Sequence, residues 1–560
     1  MFAALWTKCL LSAANAPGSE PKTRSITGEP PGPVAQRLHR PLLFRAMAAL
    51  TPRVPGTRRS ARQQVVVIGA GPAGLTAAYL LSKQNFAVTV LEADSVVGGI
   101  SRTAQYKGFR FDIGGHRFFT KIQEVNDLWE ELLGEEFLRV PRISRIHYKG
   151  RFFDYPLRAT NALAGLGLMN AVRIVLSYLH AQWRPHPRED TFEQWVTNRF
   201  GKRLYEVFFK TYSEKVSGIP CHEIRAEWAA QRIQGLSLAR AILGATALTK
   251  RAASVRSLIH EFRYPRLGPG QMWERCRDRI VAMGQSVLLD HRVTAVEHAG
   301  GRVVAVRART RDGAERRFAA DHVISSAALP ALVRALDPPA PARAIDAAAG
   351  LKYRDMIVVG LVLDRADLFP DNWIYIHSEN VKVGRIQNFG NWSREMVPTQ
   401  GQSALGLEYF CFKKEPFWSR GDDELIELAT RELSTLGLAN GAKVVDGTVI
   451  RMPNAYPVYD SSYRDQLAEV RAALEPIQGL QTVGRNGLHK YNNQDHSMLT
   501  AMMAVWNVQG ESHDVWAVNT DFEYLEEQRL EREPAARPLD RLPTPSRAFA
   551  RGRLRLRVEP

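Results

Sequence analysis

Cysteine is scarce in this chain of 560 residues. Its four cysteines lie far apart, and none stands in a CxxC pair or at a spacing typical of metal ligands: Cys9, Cys221, Cys276 and Cys411. Isolated cysteines of this kind are usual in a reducing compartment. We therefore expect a cytoplasmic protein without a metal site.

Long apolar runs are scarce as well. Thr160 to Trp183 is apolar apart from Arg173, and it approaches the roughly 20 residues of a membrane-spanning helix. Its Gly, Asn, Ser and His residues argue against a spanning segment. We expect instead a buried or membrane-touching helix within a substrate domain, with a possible peripheral membrane contact.

Acidic residues are scarce at the two ends of the chain. Both ends are rich in Arg and supply most of the formal net charge of +17. We interpret residues 1–62 as a disordered or mis-started tail, with Met47 as a possible true start and a transit peptide as the alternative. Residues 511–560 are interpreted as a C-terminal extension that ends in an Arg-rich tail. Because we read these charges as solvated tails, we predict no nucleic-acid partner.

A glycine-rich turn follows the first strand that the sequence predicts. The β-branched run Gln64 to Ile68 precedes it, an Ala/Leu helix extends to about Lys83, and a second strand runs from Ala87 to Glu92. The turn itself reads Gly69-Ala70-Gly71-Pro72-Ala73-Gly74. A strand, GxGxxG turn, helix, strand and acid in this order predict a dinucleotide-binding βαβ unit.

Each part of this unit has a mechanical role. Gly69 permits the tight turn, Gly71 lets the backbone approach a pyrophosphate, and Gly74 lets helix and strand pack closely. The helix N-terminus, which includes Ala73, holds the phosphates, and Glu92 accepts hydrogen bonds from ribose hydroxyls.

A second glycine pair favours FAD over NAD. Gly98-Gly99-Ile100-Ser101-Arg102 resembles the GGxxR extension of the amine-oxidase-like flavoproteins, in which the glycines approach the cofactor and the arginine pairs with the pyrophosphate. Val293 matches the position of a backbone contact to adenine in those proteins. Since the sequence has no second GxGxxG, we expect no dedicated NADPH domain.

Two glycine-rich strings are candidates for contact with the flavin ring. The first ends in Gly114-Gly115-His116, where backbone and an imidazole could lie against a flat ring. The second precedes a helix predicted over Leu499 to Val508, and its candidate residues are Gly484, Arg485, Asn493, Gln494 and Asp495. Polar residues before a helix can cap it, and the helix N-terminus can stabilise negative charge on a reduced isoalloxazine.

The second string resembles the FAD loop of the UDP-galactopyranose mutases, especially their eukaryotic branch, although it is one residue shorter. Further matches occur in the same order along the chain, at Gly114 to Thr120, Lys210 to Lys215, Asn372 to Tyr375, Gly384 to Ser393 and Tyr456 to Val458. The resemblance implies a flavin that must be reduced, with NAD(P)H as a possible reductant, and that then acts as the nucleophile on a sugar nucleotide in polysaccharide or glycolipid synthesis. It implies a diphosphate contact for Arg385, substrate contacts for Tyr212, Tyr456 and Tyr491, and a place beside the flavin for His116.

Other readings stay open. The sequence Tyr-Tyr-Asp-Met-His, which ends the corresponding loop of the bacterial mutases, is absent from this chain. The residues that would bind uracil cannot be aligned. The same superfamily includes amine-oxidase-like, desaturase-like and protoporphyrinogen-oxidase-like enzymes, whose flavin takes hydride from substrate. An oxidoreductase acting on an apolar small molecule is therefore the alternative, and a non-enzymatic flavoprotein is the third hypothesis. The oligomeric state is not predicted.

The fold class that follows is α/β, with a Rossmann-type FAD-binding domain and an inserted helical and mixed α+β substrate domain. We assign residues 64–116, 264–345 and 481–510 to the FAD-binding domain. Residues 117–263 are predicted to form an inserted helical substrate domain, and residues 346–480 a mixed strand and helix region of the same substrate part.

Overall fold

The computed structural model describes residues 62–155, 161, 165–228, 256–258, 261–518 and 527–529. These residues belong to one compact unit. The predicted tail of residues 1–62, except Arg62, lies outside the described residues, as do residues 530–560 of the predicted C-terminal extension.

Runs of strands and runs of helices follow one another along this unit. The helices are α1 Pro72–Ser82, α2 Gln123–Leu133, α3 Leu168–Trp183, α4 Phe192–Phe200, α5 Lys202–Tyr205, α6 Thr211–Ser217, α7 Gly270–Ala282, α8 Leu329–Arg334, α9 Ala342–Gly350, α10 Asp422–Thr435, α11 Tyr463–Leu474 and α12 Gln494–Val508. The strands are β1 Gln64–Ile68, β2 Ala87–Leu91, β3 Thr103–Tyr106, β4 Phe109–Asp112, β5 Phe137–Pro141, β6 Ser144–Tyr148, β7 Arg151–Asp154, β8 Arg256–Leu258, β9 Glu261–Pro265, β10 Ser286–Leu288, β11 His291–Ala299, β12 Arg302–Thr310, β13 Glu315–Ala319, β14 His322–Ser325, β15 Leu336–Asp337, β16 Tyr353–Leu363, β17 Trp373–Ile376, β18 Arg385–Asn388, β19 Ser403–Cys411, β20 Val444–Pro457, β21 Leu480–Thr482 and β22 Glu527–Arg529.

A five-stranded parallel sheet has the order β10-β2-β1-β14-β21. Its central strand β1 is apolar on both faces, as parallel strands are when both faces are covered. Val65 and Val67 pack with helices α1, α2, α7 and α12 on one side. Val66 and Ile68 point the other way, toward the β11–β12 hairpin and helices α8, α9 and α11. The predicted α/β fold class is confirmed by this layered arrangement.

A seven-stranded mixed sheet has the order β20-β16-β19-β18-β17-β6-β7. All its pairings are antiparallel except the parallel pair β17–β6. Met356 and Val358 of β16 face the aromatic cluster built with helices α3 to α6, whereas Ile357 and Val359 face α10. Strands from the segments 117–263 and 346–480 therefore share one sheet.

Two local predictions are corrected or refined. Helix α12 begins at Gln494 rather than Leu499, because Asn493 adopts the extended conformation of an N-cap and the chain turns helical immediately after it. Within Thr160 to Trp183, the structure describes helix α3 from Leu168, while residues 160 and 162–164 lie outside the described residues. In the described part of the chain, no helix combines the length and the apolar character needed to cross a membrane.

Candidate active site

The site begins where the parallel strands end. Gly69 follows β1 with a φ of +96°, and a Cβ added there would lie 2.3 Å from the Ser326 Oγ beyond β14. A Cβ on Gly74 would lie 1.8 Å from the carbonyl oxygen of Gly69, so helix α1 can approach the turn only with glycine at this position. Glu92 Oε2 accepts a hydrogen bond from the Ala70 amide at 2.6 Å, which ties the end of β2 to the same turn.

The second glycine pair faces the first turn closely. Gly98 and Gly99 both have positive φ, and the Gly98 amide donates to the Ala70 carbonyl at 2.8 Å. A Cβ on Gly99 would lie 3.4 Å from the Gly71 Cα. Helix α1 starts in this cleft with no side-chain cap on its first amides. Free helical amides beside a narrow glycine-walled cleft suit a diphosphate.

One cavity of about 950 Å³ runs from these turns to the seven-stranded sheet. Most of the residues predicted for the site line it: Gly69, Gly71, Ala73, Glu92, Gly99, Ser101, Gly115, His116, Tyr212, Val293, Arg385, Tyr456, Gly484, Arg485, Tyr491, Asn493, Gln494 and Asp495. Gly74, Gly98 and Arg102 are not among the lining residues. The two glycines act through packing, and the Arg102 guanidinium forms an ion pair with the Asp94 carboxylate.

His116 lies beside the start of helix α12. Its Nε2 is 2.9 Å from the Ile113 carbonyl, and the Gln494 amide nitrogen is 3.5 Å from its Nδ1. Burial lowers the pKa of His116 to about 4, and the nearby charges of Arg485 and Arg385 act in the same direction. At neutral pH the imidazole is therefore uncharged, with Nε2 donating to the carbonyl and Nδ1 accepting from Gln494.

Arg385 is already paired. It lies directly opposite Glu408 on neighbouring strands, donating from Nε to Oε1 at 2.9 Å and from Nη2 to Oε2 at 2.5 Å. Gln387 donates to the same carboxylate, whose side chain has no exposed surface. Burial alone lowers the pKa of Arg385, but Glu408 outweighs that effect and raises it well above the usual range. The motif resemblance gave no sign of this partner.

Arg485 is held differently. It donates from Nε to the Asn492 carbonyl and from Nη1 to the Ala455 carbonyl, each at 2.9 Å. Its guanidinium lies 5.2 Å and 5.1 Å from the ring centres of Tyr456 and Tyr491, which stack on each other. Among the described residues, no carboxylate lies within ion-pair distance of Arg485. It therefore contributes an uncompensated positive charge to the cavity.

His377 also lines the cavity, although its place there was not predicted from the sequence. Its ring stacks on that of Tyr212, with the centres 5.1 Å apart and the planes 6° from parallel. Burial, reinforced by the charge of Lys215, lowers the pKa of His377 to about 3. Lys215 in turn donates to the carbonyls of Ser378 and Val383 at 2.7 and 3.0 Å, which fixes the loop beyond β17. The only signal in the sequence was that His377 continues the alternating side-chain pattern of strand β17, two residues beyond Tyr375.

The family assignment agrees with this geometry. Residues 72–485 match the family described as flavin containing amine oxidoreductases. The chain belongs to this family. The superfamily resemblance read from the motifs is thereby confirmed, and the protein is an FAD-dependent enzyme.

The relatives found by sequence are distant or match over short stretches. A stretch of 77 residues is 46% identical to the L-glutamate oxidase precursor of Streptomyces viridosporus, covering 14% of this chain and 11% of that protein. The L-amino-acid oxidase of Mus musculus is 26% identical over 406 residues, covering 68% of this chain and 59% of that protein. The chain thus spans less than two thirds of either relative's length.

Among solved structures, the crystal structure of reduced UDP-galactopyranose mutase is similar to this chain with a TM-score of 0.70. The identity is 22%, and the alignment covers 82% of this chain and 96% of the mutase chain. At this identity the likeness shows a shared fold. It agrees with the motif resemblance to the mutases without fixing the substrate.

The residues present fit the FAD of this family. The uncapped start of α1 and the facing glycines at Gly71 and Gly99 leave a cleft that a diphosphate can occupy and that a larger side chain at Gly71 would fill. The start of α12 also lacks a side-chain cap, and Asn493, Gln494 and Asp495 line the cavity there. Two helix N-termini directed at one cavity suit a cofactor that carries negative charge at both places.

Proposed function

We propose that this flavin amine oxidoreductase binds a substrate carrying a phosphate or diphosphate, and that it acts on a sugar nucleotide as a mutase. The proposal rests on the setting of Arg485, which lines the cavity and lies against the stacked rings of Tyr456 and Tyr491. Among the described residues, no carboxylate forms an ion pair with it. A guanidinium with a free N–H and neighbouring phenols suits a phosphate group.

The acidic residues of the cavity support an anionic substrate. The described lining residues with carboxylates are Glu92, Asp94 and Asp495. Glu92 accepts from the backbone amides of Ala70 and Asp94, and Asp94 is paired with Arg102. Asp495 lies in the first turn of α12, where the helix N-terminus stabilises its charge. Among the described lining residues, a cationic amine would thus meet two carboxylates that are already engaged and a third at a helix N-terminus.

Arg385 is proposed to donate a hydrogen bond without adding net charge. Glu408 occupies its Nε and Nη2, whereas Nη1 is directed toward Gly115, 3.7 Å from the position of a Cβ there. The carboxylate therefore orients one N–H of Arg385 toward the glycine loop beside His116. In this division of roles Arg385 positions the substrate and Arg485 neutralises its charge.

The chemistry of the cofactor is that of the family. Bound FAD supplies a ring nitrogen that is nucleophilic when reduced and accepts hydride when oxidised. We propose NAD(P)H as the external reductant. The imidazole of His116, held by Ile113 and Gln494 and uncharged at neutral pH, would present a neutral polar surface to the bound ring.

Binding of UDP to the FAD-loaded protein, measured by isothermal titration calorimetry, tests the anionic site. We expect UDP to bind, and the double variant Arg385→Gln/Glu408→Gln to weaken binding by about tenfold or more while flavin content is kept. The double variant removes both charges, so it leaves no buried charge unpaired. Absence of UDP binding in the wild type, with binding of an alkylamine instead, would contradict the proposal.

A second candidate is an oxidoreductase acting on an apolar substrate. It is favoured by the aromatic lining at the sheet end of the cavity, which includes Phe192, Phe208, Phe209 and Trp228. Such an enzyme would bleach its own flavin on adding substrate, without NAD(P)H. The flavin absorbance, followed under anaerobic conditions as substrate is added, distinguishes the two candidate functions. Substrate alone would bleach the flavin of an oxidoreductase, whereas a mutase requires a separate reductant.

A further inference from the structure

Helix α3 presents an apolar stripe to solvent. Its members are spaced alternately three and four residues apart, so they lie on one face of the helix: Met169, Val172, Leu176, Leu179 and Trp183. Each is between 47% and 73% exposed. Single exposed apolar residues are ordinary, but a continuous row of five large ones marks an interaction surface.

The opposite face of α3 holds the helix firmly in place. Ile174 and Ala181 are buried, and Ile174 packs in the aromatic cluster that covers the seven-stranded sheet. The Ser177 hydroxyl accepts from the Arg203 amide at 3.0 Å. A Cβ on Gly201 would lie 2.7 Å from the backbone nitrogen of Tyr178, so the chain that follows α4 passes directly against the helix. The stripe is therefore fixed in its outward orientation.

The chain segment that carries the stripe has charges of one sign. The sequence has no acidic residue between Asp154 and Glu189, although Asp and Glu together number 58 in the chain. Arg173, Arg184 and Arg188 are exposed on or just after α3. Arg184 lies over the ring of Trp183, 4.5 Å from its centre, at the C-terminal end of the stripe. An apolar face bordered by arginines and ending in tryptophan has the composition of a helix that lies in a lipid interface.

We propose that helix α3 docks the protein onto an anionic membrane surface, with the stripe inserted among the lipids and the neighbouring arginines against their headgroups. A second copy of this chain fits the face less well. A symmetric pairing would bring each helix, with its arginines and without an acidic residue, against an identical helix. Anionic lipid headgroups supply the missing negative charge.

Co-sedimentation of the full-length, FAD-loaded protein with phosphatidylcholine vesicles that contain about one-third phosphatidylglycerol tests the docking. We expect Leu176→Ser/Trp183→Ser to weaken binding by about tenfold or more, because two inserted apolar side chains are lost. Neither substitution changes a charge, so the Arg-rich ends contribute equally to vesicle binding by the wild type and by the variant. Val445→Ser, which removes an exposed apolar side chain on β20, is the matched control and should change binding less than about twofold.

Met169→Ser/Leu179→Ser is a second stripe variant, and flavin absorbance with the melting temperature verifies that each variant is folded. Equal vesicle binding by wild type and both stripe variants would overturn the proposal. So would a dimer in sedimentation velocity that depends on the stripe, without stripe-dependent vesicle binding, since it would assign the face to a second copy. Vesicle binding does not involve turnover, so this result is independent of the proposed reaction.

Discussion

The two ends of the cavity are built in different ways. At the end formed by the parallel strands, backbone conformation dominates, and Gly69, Gly71, Gly74 and Gly99 define the cleft by the absence of side chains. At the end formed by the seven-stranded sheet, side chains from distant parts of the chain dominate, with Arg385 paired to Glu408. At the first end, an added side chain at Gly69 or Gly74 would clash with neighbouring atoms, and one at Gly71 would fill the cleft, whereas the second end depends on balanced charge.

Gly74→Ala should have the largest effect. Its Cβ would lie 1.8 Å from the Gly69 carbonyl oxygen, and neither backbone segment can move without separating α1 from β1. We expect little or no soluble flavoprotein, measured as the yield of FAD-loaded protein after purification. Gly421→Ala is the matched control, because a Cβ at Gly421 meets nothing within 4 Å. A normal yield of yellow Gly74→Ala protein would contradict the packing role.

Gly71→Val should remove the cofactor and keep the fold. Gly71 has a φ of −81°, which valine can adopt, and an added Cβ approaches only the Gly99 Cα at 3.9 Å. The branched side chain would instead fill the cleft proposed for the diphosphate. We expect a folded, colourless protein by circular dichroism and by the absorbance ratio of flavin to protein. A stoichiometric yellow variant would show that the diphosphate lies elsewhere.

Arg385→Gln alone should destabilise the protein by about 3–5 kcal/mol, because Glu408 would remain buried without its partner. Arg385→Gln/Glu408→Gln should recover most of this loss. Urea unfolding of the two FAD-loaded variants and the wild type measures the difference. If the single and double variants are equally stable, the pair is not the buried charge balance inferred for the sheet end.

His489 should make stability dependent on pH. Burial lowers its pKa to about 4, below the usual 6.5, so between these values the unfolded chain binds a proton that the folded chain does not. The contribution is complete above about pH 6.5 and is lost as the pH falls, by about 2 kcal/mol between pH 7 and pH 5. His489→Gln should show a correspondingly smaller decrease in unfolding free energy over that interval. Identical pH profiles for variant and wild type would refute the assignment.

Tyr491→Phe should have the smallest effect. It removes one hydroxyl beside Arg485 and keeps the stacked ring, so we expect UDP affinity to fall by about fivefold, or about 1 kcal/mol. Calorimetric titration measures the change. Tyr463→Phe is the control, because Tyr463 stacks on Tyr459 and is not a lining residue. Equal losses in both variants would place the effect in packing rather than in substrate contact.

The sequence predicted the strand end of the cavity well because its determinants are local. Gly69 to Gly74, Glu92 and Gly99 stand in a short motif whose spacing reflects the turn itself. The sheet end was predicted less completely. Arg385 was singled out by resemblance, but its partner Glu408 and the Tyr212–His377 stack depend on strand pairing, which one sequence does not reveal. Arg102 was predicted to meet the pyrophosphate, and its pairing with Asp94 depends on a loop path that the motif does not specify.

The domain boundaries and the roles of individual site residues stay predictions. Residues 117–263 and 346–480 contribute strands to the same sheet, so periodicity along the chain could not show which segments associate. The start of α12 was misplaced because its first turn is polar. Gln494 and Asp495 resemble a capping loop in sequence, although they already belong to the helix.

Turnover under strictly anaerobic conditions distinguishes a mutase from a net oxidoreductase. The purified protein is reduced with NADPH, UDP-galactopyranose is added, and the sugar product and the flavin absorbance are followed together. We expect conversion to the furanose while the flavin stays reduced. No conversion, with the oxidised protein instead bleached by an apolar or amine substrate in the absence of NAD(P)H, would contradict it and make the enzyme a net oxidoreductase.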